Sequence, residues 1–267
     1  PKGFLFRGSI PLGHATMDLP AAMPNPADYT AHVLKQMLSV RGIRVTGDAR
    51  AQHAPPPPEN SPAESPSLAS SSPAPAPLVL AEHDSPPLIE IIRVLNKVSE
   101  NLHAEILLRT VAKEKTGMGS LAVEQKFLTS IGVPLGDVLV DDGSGLSREN
   151  LVTPRAVVAL LEYVHQQPWG DAFVATLPVA GVDGTLQHRL NDTPAQGRIQ
   201  AKTGSVERTQ AVSGFATTLR GEHLIFSIFD NHNGGPNREA VKVLDSIAVA
   251  MVQDLGVPAK KSVKKHK

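Results

Sequence analysis

Apolar residues at Leu88, Ile91, Ile92 and Leu95 recur three and four apart, which predicts a helix with one apolar face opening just after Pro87. The same period returns at Leu102, Ile106, Leu107 and Val111, so a second helix follows the interruption at Ser99-Glu100-Asn101. Further helical patterns lie at about 26–40, where Tyr29, Val33, Met37 and Leu38 share a face and Gly42 ends the run, and at 121–131. Pro154 opens another, running to about His165, and a closing helix is predicted over 236–255. The pattern switches to strands at 198–201, 212–219 and 224–229, with Arg220-Gly221 as the tight turn between the last two. Shorter strands are expected at 3–10 and 43–45, and the apolar run 138–140 precedes a turn-rich loop at 141–147. Helices followed by an antiparallel strand set and a closing helix predict an α/β (α+β) layered domain.

Between these patterns the composition shifts. From Ala51 to about residue 80 the chain is rich in Pro, Ser and Ala, with Pro55-Pro56-Pro57-Pro58 and Ser70-Ser71-Ser72-Pro73. Such a segment buries too little apolar surface to offset its ordering entropy, so a disordered linker is expected. The tail 257–267 carries five lysines and is read as a basic disordered end. Basic and acidic residues balance at 26 each, so net charge gives no reason to expect a nucleic-acid partner. No run of about 18 apolar residues occurs, so no transmembrane segment is expected. Cysteine is absent, which excludes disulfides and thiolate zinc sites, and the histidines lack metal-ligand spacing, so no metal or other cofactor is expected. Pro1-Lys2-Gly3 leads straight into Phe4-Leu5-Phe6 with no initiator Met and no signal-peptide pattern. The chain therefore reads as the C-terminal part of a longer protein.

Two short motifs carry candidate chemistry. Lys202-Thr203-Gly204 ends a strand-like run, where the ammonium of Lys202 can favour a substrate carboxylate and anionic transition states. Thr203 offers a hydroxyl to the same carboxylate, and Gly204 leaves the strand edge bare. The backbone N–H of Ser205 would then face the carbonyl oxygen of a substrate paired with that edge. Upstream, Ser99 suits a proton relay, and the Asn101 amide can bond both the carbonyl and the N–H of a peptide-like substrate. Each motif has a plainer reading: Ser99 or Asn101 can cap the following helix, and a lone Lys-Thr-Gly is common. Lys115-Thr116-Gly117 is such a copy, placed where Gly is an ordinary helix terminator. A nucleophile motif of the form Ser-x-x-Lys occurs only at Ser262-Val263-Lys264-Lys265, inside the lysine-rich tail, and Thr110-Val111-Ala112-Lys113 lies within a predicted helix. Neither is a credible nucleophile.

Longer segments carry a resemblance. These are Gly8-Ser9-Ile10-Pro11, Ser85-Pro86-Pro87-Leu88, Asn96-Lys97-Val98-Ser99-Glu100-Asn101-Leu102, Asp142-Gly143-Ser144-Gly145-Leu146-Ser147, the stretch from Leu177 to Leu186, and the stretch from Gly197 to Ser205. In this order they resemble the D-alanyl-D-alanine carboxypeptidase/endopeptidase family, the type-4 low-molecular-mass penicillin-binding proteins or S13 peptidases. The resemblance implies a penicillin-binding-protein/β-lactamase-like transpeptidase fold, a five-stranded antiparallel sheet flanked by helices, here without its N-terminal part. It implies cleavage of D-Ala-D-Ala in peptidoglycan stem peptides through an acyl-serine, acylation by β-lactams, and a periplasmic or extracytoplasmic location. By carry-over, Ser99 and Asn101 match the second motif and Lys202, Thr203 and Gly204 the third. Ser205 stands where the family often has Thr, a change that its backbone role survives. Ser144 and Leu146 are expected to line the substrate pocket, unless their loop is only a Gly-rich turn held by Asp142. Residues 1–50 look like the end of an inserted accessory domain, 51–80 a linker, and 81–256 the C-terminal part of the catalytic domain. Without a Ser-x-x-Lys the chain by itself is expected to be inactive. The alternatives are a non-catalytic relative that binds peptidoglycan or a partner, and a serine esterase or β-lactamase on the same fold.

Overall fold

The computed structural model describes residues 7–17, 22–52, 81–115, 119–232 and 234–253. Most of the Pro-rich segment, the basic tail with Ser262–Lys265, the start of the strand expected at 3–10, Thr116-Gly117 and the last residues of the closing helix lie outside them. The chain divides into two compact units, 1–62 and 63–267.

Among its described residues the first unit holds one helix, α1 (Pro26–Val40). Asn25 starts it, its side-chain oxygen accepting the N–H of Asp28 at 3.1 Å, and Pro26 sits where no N–H is needed. Gly42, at φ +80°, ends it. The strands expected at 43–45 and 7–10 are absent. Instead the N–H of Ile43 turns back to the carbonyl of Leu38 at 2.9 Å, finishing the helix, and no described strand of this unit offers residues 43–45 a ladder.

The second unit begins with three helices: α2 (Leu88–Val98), α3 (Asn101–Lys115) and α4 (Ser120–Ser130). A small antiparallel pair follows, β1 (Val138–Leu139) with β2 (Leu151–Val152), and the loop between these strands projects toward α3. Next come α5 (Pro154–His165), whose start is capped by Thr153, and the short α6 (Gly170–Val174). The main sheet is β3 (Ile199–Val206), β4 (Thr209–Thr217) and β5 (His223–Asn231), antiparallel in that order, and α7 (Asn237–Gln253) closes the unit. Among the described residues the sheet has three strands where the resemblance implies five.

The central strand β4 alternates strictly between half-buried and buried positions, as a strand does when one face is more fully covered than the other. Gln210, Val212, Gly214 and Ala216 face α7, which answers with Ala240, Leu244, Ala248 and Val252, all buried and four residues apart. Ile199 and Ala201 of β3 and Phe226 of β5 complete this core. The other face meets α5, where the ring of His165 lies 6.2 Å from that of Phe215.

Gly214 marks the tightest approach in the sheet. A Cβ there would stand 2.2 Å from the carbonyl oxygen of Gln200 and 2.6 Å from Cα of Ala201, both backbone atoms of β3. We expect Gly214→Ala to force β3 and β4 apart and to cost about 1–3 kcal/mol, read as a lower midpoint in thermal or urea denaturation. An unchanged midpoint would show that the strands do not pack this closely.

Candidate active site

Helix α2 stops at Ser99, which adopts left-handed backbone angles (φ 60°, ψ 53°) while its N–H still reaches the carbonyl of Leu95. A non-glycine residue in this region is uncommon, and here it turns the chain sharply into α3, whose first residue is Asn101. The Glu100 side chain, at 3.3 Å from the N–H of Leu102, tends the start of α3. The Ser99 hydroxyl is engaged elsewhere: it accepts a hydrogen bond from Lys202 Nζ at 2.6 Å, across 103 residues of sequence. Asn101 is half-buried at the same junction.

Lys202 reaches Ser99 because of strand parity. Ile199 and Ala201 point into the α7 core, so Lys202, one residue on, leaves by the opposite face. Its ammonium also donates to the carbonyl of Thr203 at 2.8 Å, and both partners are neutral oxygens. Burial pushes its pKa below the usual lysine value.

The same parity arms the edge of β3. Segment 178–180 runs antiparallel beside its first residues: the N–H of Ala180 donates to the carbonyl of Ile199, and that of Ala201 to the carbonyl of Pro178, at 3.0 and 2.9 Å. Main-chain groups of alternate residues point the same way, so the N–H groups of Thr203 and Ser205 also face away from β4. Past Ala201 this edge is uncovered by any described strand. Gly204 is exposed beside it, and a Cβ there would meet only Cβ of Ala211 at an ordinary 3.4 Å. The folded chain itself gives no steric reason for glycine at this position. The Thr203 hydroxyl donates to that of Thr185 at 2.8 Å, and the Ser205 hydroxyl accepts from Gln210 Nε2 at 2.9 Å.

The loop carrying Ser144 and Leu146 is organised by Asp142. Its carboxylate accepts from the N–H groups of Gly145 and Ser147, from the Ser144 hydroxyl and from Asn150 Nδ2. Burial pushes this carboxyl up, and these hydrogen bonds more than offset it, holding the pKa below the usual range. The N–H of Gly143 binds Glu105 Oε2 at 2.8 Å, anchoring the loop to α3. The hydrogen bonds from Arg109 and from Gly143 hold Glu105 low as well. Arg148 then pairs with Glu207 in the β3–β4 turn, so the loop reaches the hairpin beyond Ser205. Ser144 thus spends its hydroxyl inside the loop, whereas the Leu146 side chain is exposed.

Ser99 and Lys202 are therefore in contact, with Thr203, Gly204 and Ser205 along the adjoining edge, and Asn101 beside Ser99. Sequence reasoning assigned nothing to Lys97, Asp183 and Thr185. Their only signal was their place inside the segments 96–102 and 177–186. Among the described residues no cluster of His, Asp and Glu could hold a metal ion, and no helix is long and apolar enough to cross a membrane.

Comparison with known proteins places this geometry in context. The family model for the D-Ala-D-Ala carboxypeptidase 3 (S13) family matches residues 2–251. A D-alanyl-D-alanine carboxypeptidase from Actinomadura sp. (strain R39) is 35% identical over 258 residues, covering 93% of this chain and 44% of the relative. The D-alanyl-D-alanine carboxypeptidase DacB of Haemophilus influenzae is 32% identical, covering 86% of this chain and 44% of the relative. Among solved structures, penicillin binding protein 4 (dacB) from Haemophilus influenzae, complexed with a β-lactam, superposes with a TM-score of 0.70 at 27% identity. That match covers 88% of this chain and 52% of the solved one. The chain spans a little under half the length of these curated relatives.

The burial of Lys202 sets a measurable pH dependence. Its pKa is lower folded than unfolded, so between the two values the unfolded chain binds more protons and stability rises with pH. The penalty is fully present below the lowered value and disappears as pH climbs to the ordinary lysine range. We expect Lys202→Met to stabilise the chain at neutral pH, with the gain shrinking at alkaline pH. Denaturation midpoints measured from pH 7 to 10.5 read this directly, and a gain that is flat across the range would refute it.

Proposed function

The chain belongs to the D-Ala-D-Ala carboxypeptidase 3 (S13) family, and from that premise we propose that it forms the substrate-binding wall of a serine-type D-Ala-D-Ala carboxypeptidase/endopeptidase. The observation that carries this reading is the 2.6 Å contact between Lys202 and Ser99 beside the uncovered edge of β3.

The substrate is a peptidoglycan stem peptide ending in D-Ala-D-Ala, laid as an added strand along residues 203–205. Its terminal carboxylate meets the Thr203 hydroxyl and the field of Lys202. The carbonyl of the penultimate D-Ala points at the N–H of Ser205, a donor of a kind worth about 2.7–4 kcal/mol in the tetrahedral state. The Asn101 amide bonds the peptide backbone from the helical side, and Leu146 with Ser144 borders the side chain upstream.

A serine Oγ attacks that carbonyl while its proton passes to a base. The C–N bond then breaks, the departing D-Ala nitrogen takes a proton through the Ser99 hydroxyl, and water hydrolyses the ester. Ser99 suits the relay because Lys202 already fixes its oxygen as an acceptor, leaving its own proton free to move. The nucleophile and its base form a Ser-x-x-Lys that none of the described residues supplies, so the chain alone is inactive in this reading. β-Lactams acylate the same serine, and the enzyme works in the periplasm or outside the membrane.

Fluorescent penicillin applied to the protein as encoded tests the acyl-serine chemistry. Wild type should be labelled, and Ser99→Ala and Lys202→Ala should each slow labelling roughly 100-fold or more. A folded wild-type protein that takes no label points to the non-catalytic reading. Release of D-Ala from a pentapeptide, set against hydrolysis of a chromogenic cephalosporin, separates the peptidase from a β-lactamase. Gly204→Val should fold with an unchanged denaturation midpoint yet lose labelling, because its side chain occupies space only a ligand would use.

A further inference from the structure

Ser99 and Lys202 belong to different layers, and something must hold those layers in register. Three residues on one face of α2 reach three successive residues after α6. Arg93 donates to the carbonyl of Ala175 at 3.4 Å, Asn96 to the Thr176 hydroxyl at 2.8 Å, and Lys97 to the carbonyl of Leu177 at 2.6 Å. The next residues, 178–180, are those that pair with β3 just before Lys202. Lys97 also donates to both carboxylate oxygens of Asp183, at 2.7 and 2.6 Å, and Asp183 in turn accepts the N–H of Val179 at 2.8 Å. Lys97 is four-fifths buried. Gly184 follows at φ +58°, so close to α2 that a Cβ would stand 2.7 Å from the carbonyl of Lys97.

We infer that Lys97 and Asp183 are positioning residues: their ion pair is a strut that holds the end of α2 against segment 177–184, and through it sets Ser99 against Lys202 on β3. The route is short. Lys97 is two residues from Ser99, and the Val179 N–H that Asp183 holds lies in the segment whose Pro178 carbonyl binds Ala201, the neighbour of Lys202. A chelated ammonium suits this task because its three donors converge on a carboxylate and a carbonyl from one segment, a geometry that a single neutral hydrogen bond does not fix. A misplacement of about 1 Å at a reacting group can cost roughly 100-fold in rate, so a strut of this kind matters far more to chemistry than to folding.

The catalytic consequence rests on the acyl-serine reading above; the geometric one does not. The first experiment therefore uses the 267-residue chain and reads Lys202 alone. The acetylation rate of Lys202 by acetic anhydride is followed by mass spectrometry from pH 7 to 11, a range spanning the ordinary lysine value. In wild type the Lys202 inflection lies below the ordinary lysine value, because burial depresses its pKa. Lys97→Met and Asp183→Asn should move the inflection up toward that ordinary value, and Lys97→Arg, which keeps the cation, should restore most of the difference. Asp245→Asn cuts the distant pair with Arg189 and serves as the control for general loosening. It should lower the denaturation midpoint and leave the Lys202 profile in place. If Lys97→Met and Asp183→Asn leave the profile unmoved, or Asp245→Asn shifts it equally, the strut is refuted.

The second experiment follows acylation by fluorescent penicillin in the protein as encoded. Lys97→Met should lower the maximal acylation rate 10- to 100-fold with little change in half-saturation. Loss of wild-type labelling would defeat the functional reading while leaving the Lys202 result standing. An unaltered maximal rate in a labelled Lys97→Met protein would defeat the strut.

Discussion

The register of β3 against β4 decides where every strand-borne group of the site points. With Ile199 opposite Ala216 and Ser205 opposite Gln210, the two-residue period sends Ala201 into the α7 core and Lys202 out of the other face. It also turns the N–H groups of Thr203 and Ser205 toward the uncovered edge. A slip of one residue would bury an ammonium against Leu244 and Ala248 and turn the edge donors into the ladder. The buried stripe of α7 therefore guards the site indirectly: it tolerates only one phase of β3, and that phase is the one in which Lys202 meets Ser99.

The phase carries a cost that the sheet absorbs. Lys202 is largely buried with two neutral oxygens as partners, and burial weakens its hold on its proton. Elsewhere the unit pairs mostly buried cations with carboxylates, as with Lys97 and Asp183 or Arg189 and Asp245. An unpaired ammonium stays available to an anionic ligand, whereas a carboxylate beside it would already have answered the charge. Strain of a similar kind sits at Ser99, where left-handed angles give the turn that lets α2 and α3 present Ser99 and Asn101 from one junction.

Patterns within one segment made α1, α2, α4 and α5 legible almost to the residue, because each combines a helical apolar period with a Pro or a polar start. The strands were placed, but β3 was read as ending at Ala201 when it runs to Val206. Lys202-Thr203-Gly204-Ser205 shows no apolar alternation, and only the ladder to β4 makes it strand. The converse holds for 43–45, where strand-like residues find no partner. Helix α6 and strand β2 are too short to show a period at all. Ser99, Asn101 and Lys202 stand in recognisable motifs, whereas Lys97 and Asp183 do not. Lys97 and Asp183 are 86 residues apart, and each alone reads as an ordinary surface charge. For Ser144 the sequence offers two readings, a pocket lining or a Gly-rich turn held by Asp142, and the carboxylate two residues before it does hold its hydroxyl.

An open strand edge is a hazard, since its unpaired N–H and C=O groups invite any extended chain to add to the sheet. This chain limits the exposure rather than removing it. Segment 178–180 covers β3 up to Ala201, and on the far side Glu207 and Arg208 bring charge to the turn, with Glu207 held by Arg148. What stays open is 203–205, long enough for a short peptide and too short to template a sheet. Gly204 sits in the middle of that window, where a side chain would fit the folded protein without strain. Gly214 is the contrast, since its backbone neighbours forbid any Cβ. One glycine is required by the fold and the other is not, and bare backbone at 204 is what the ligand strand proposed along 203–205 would need.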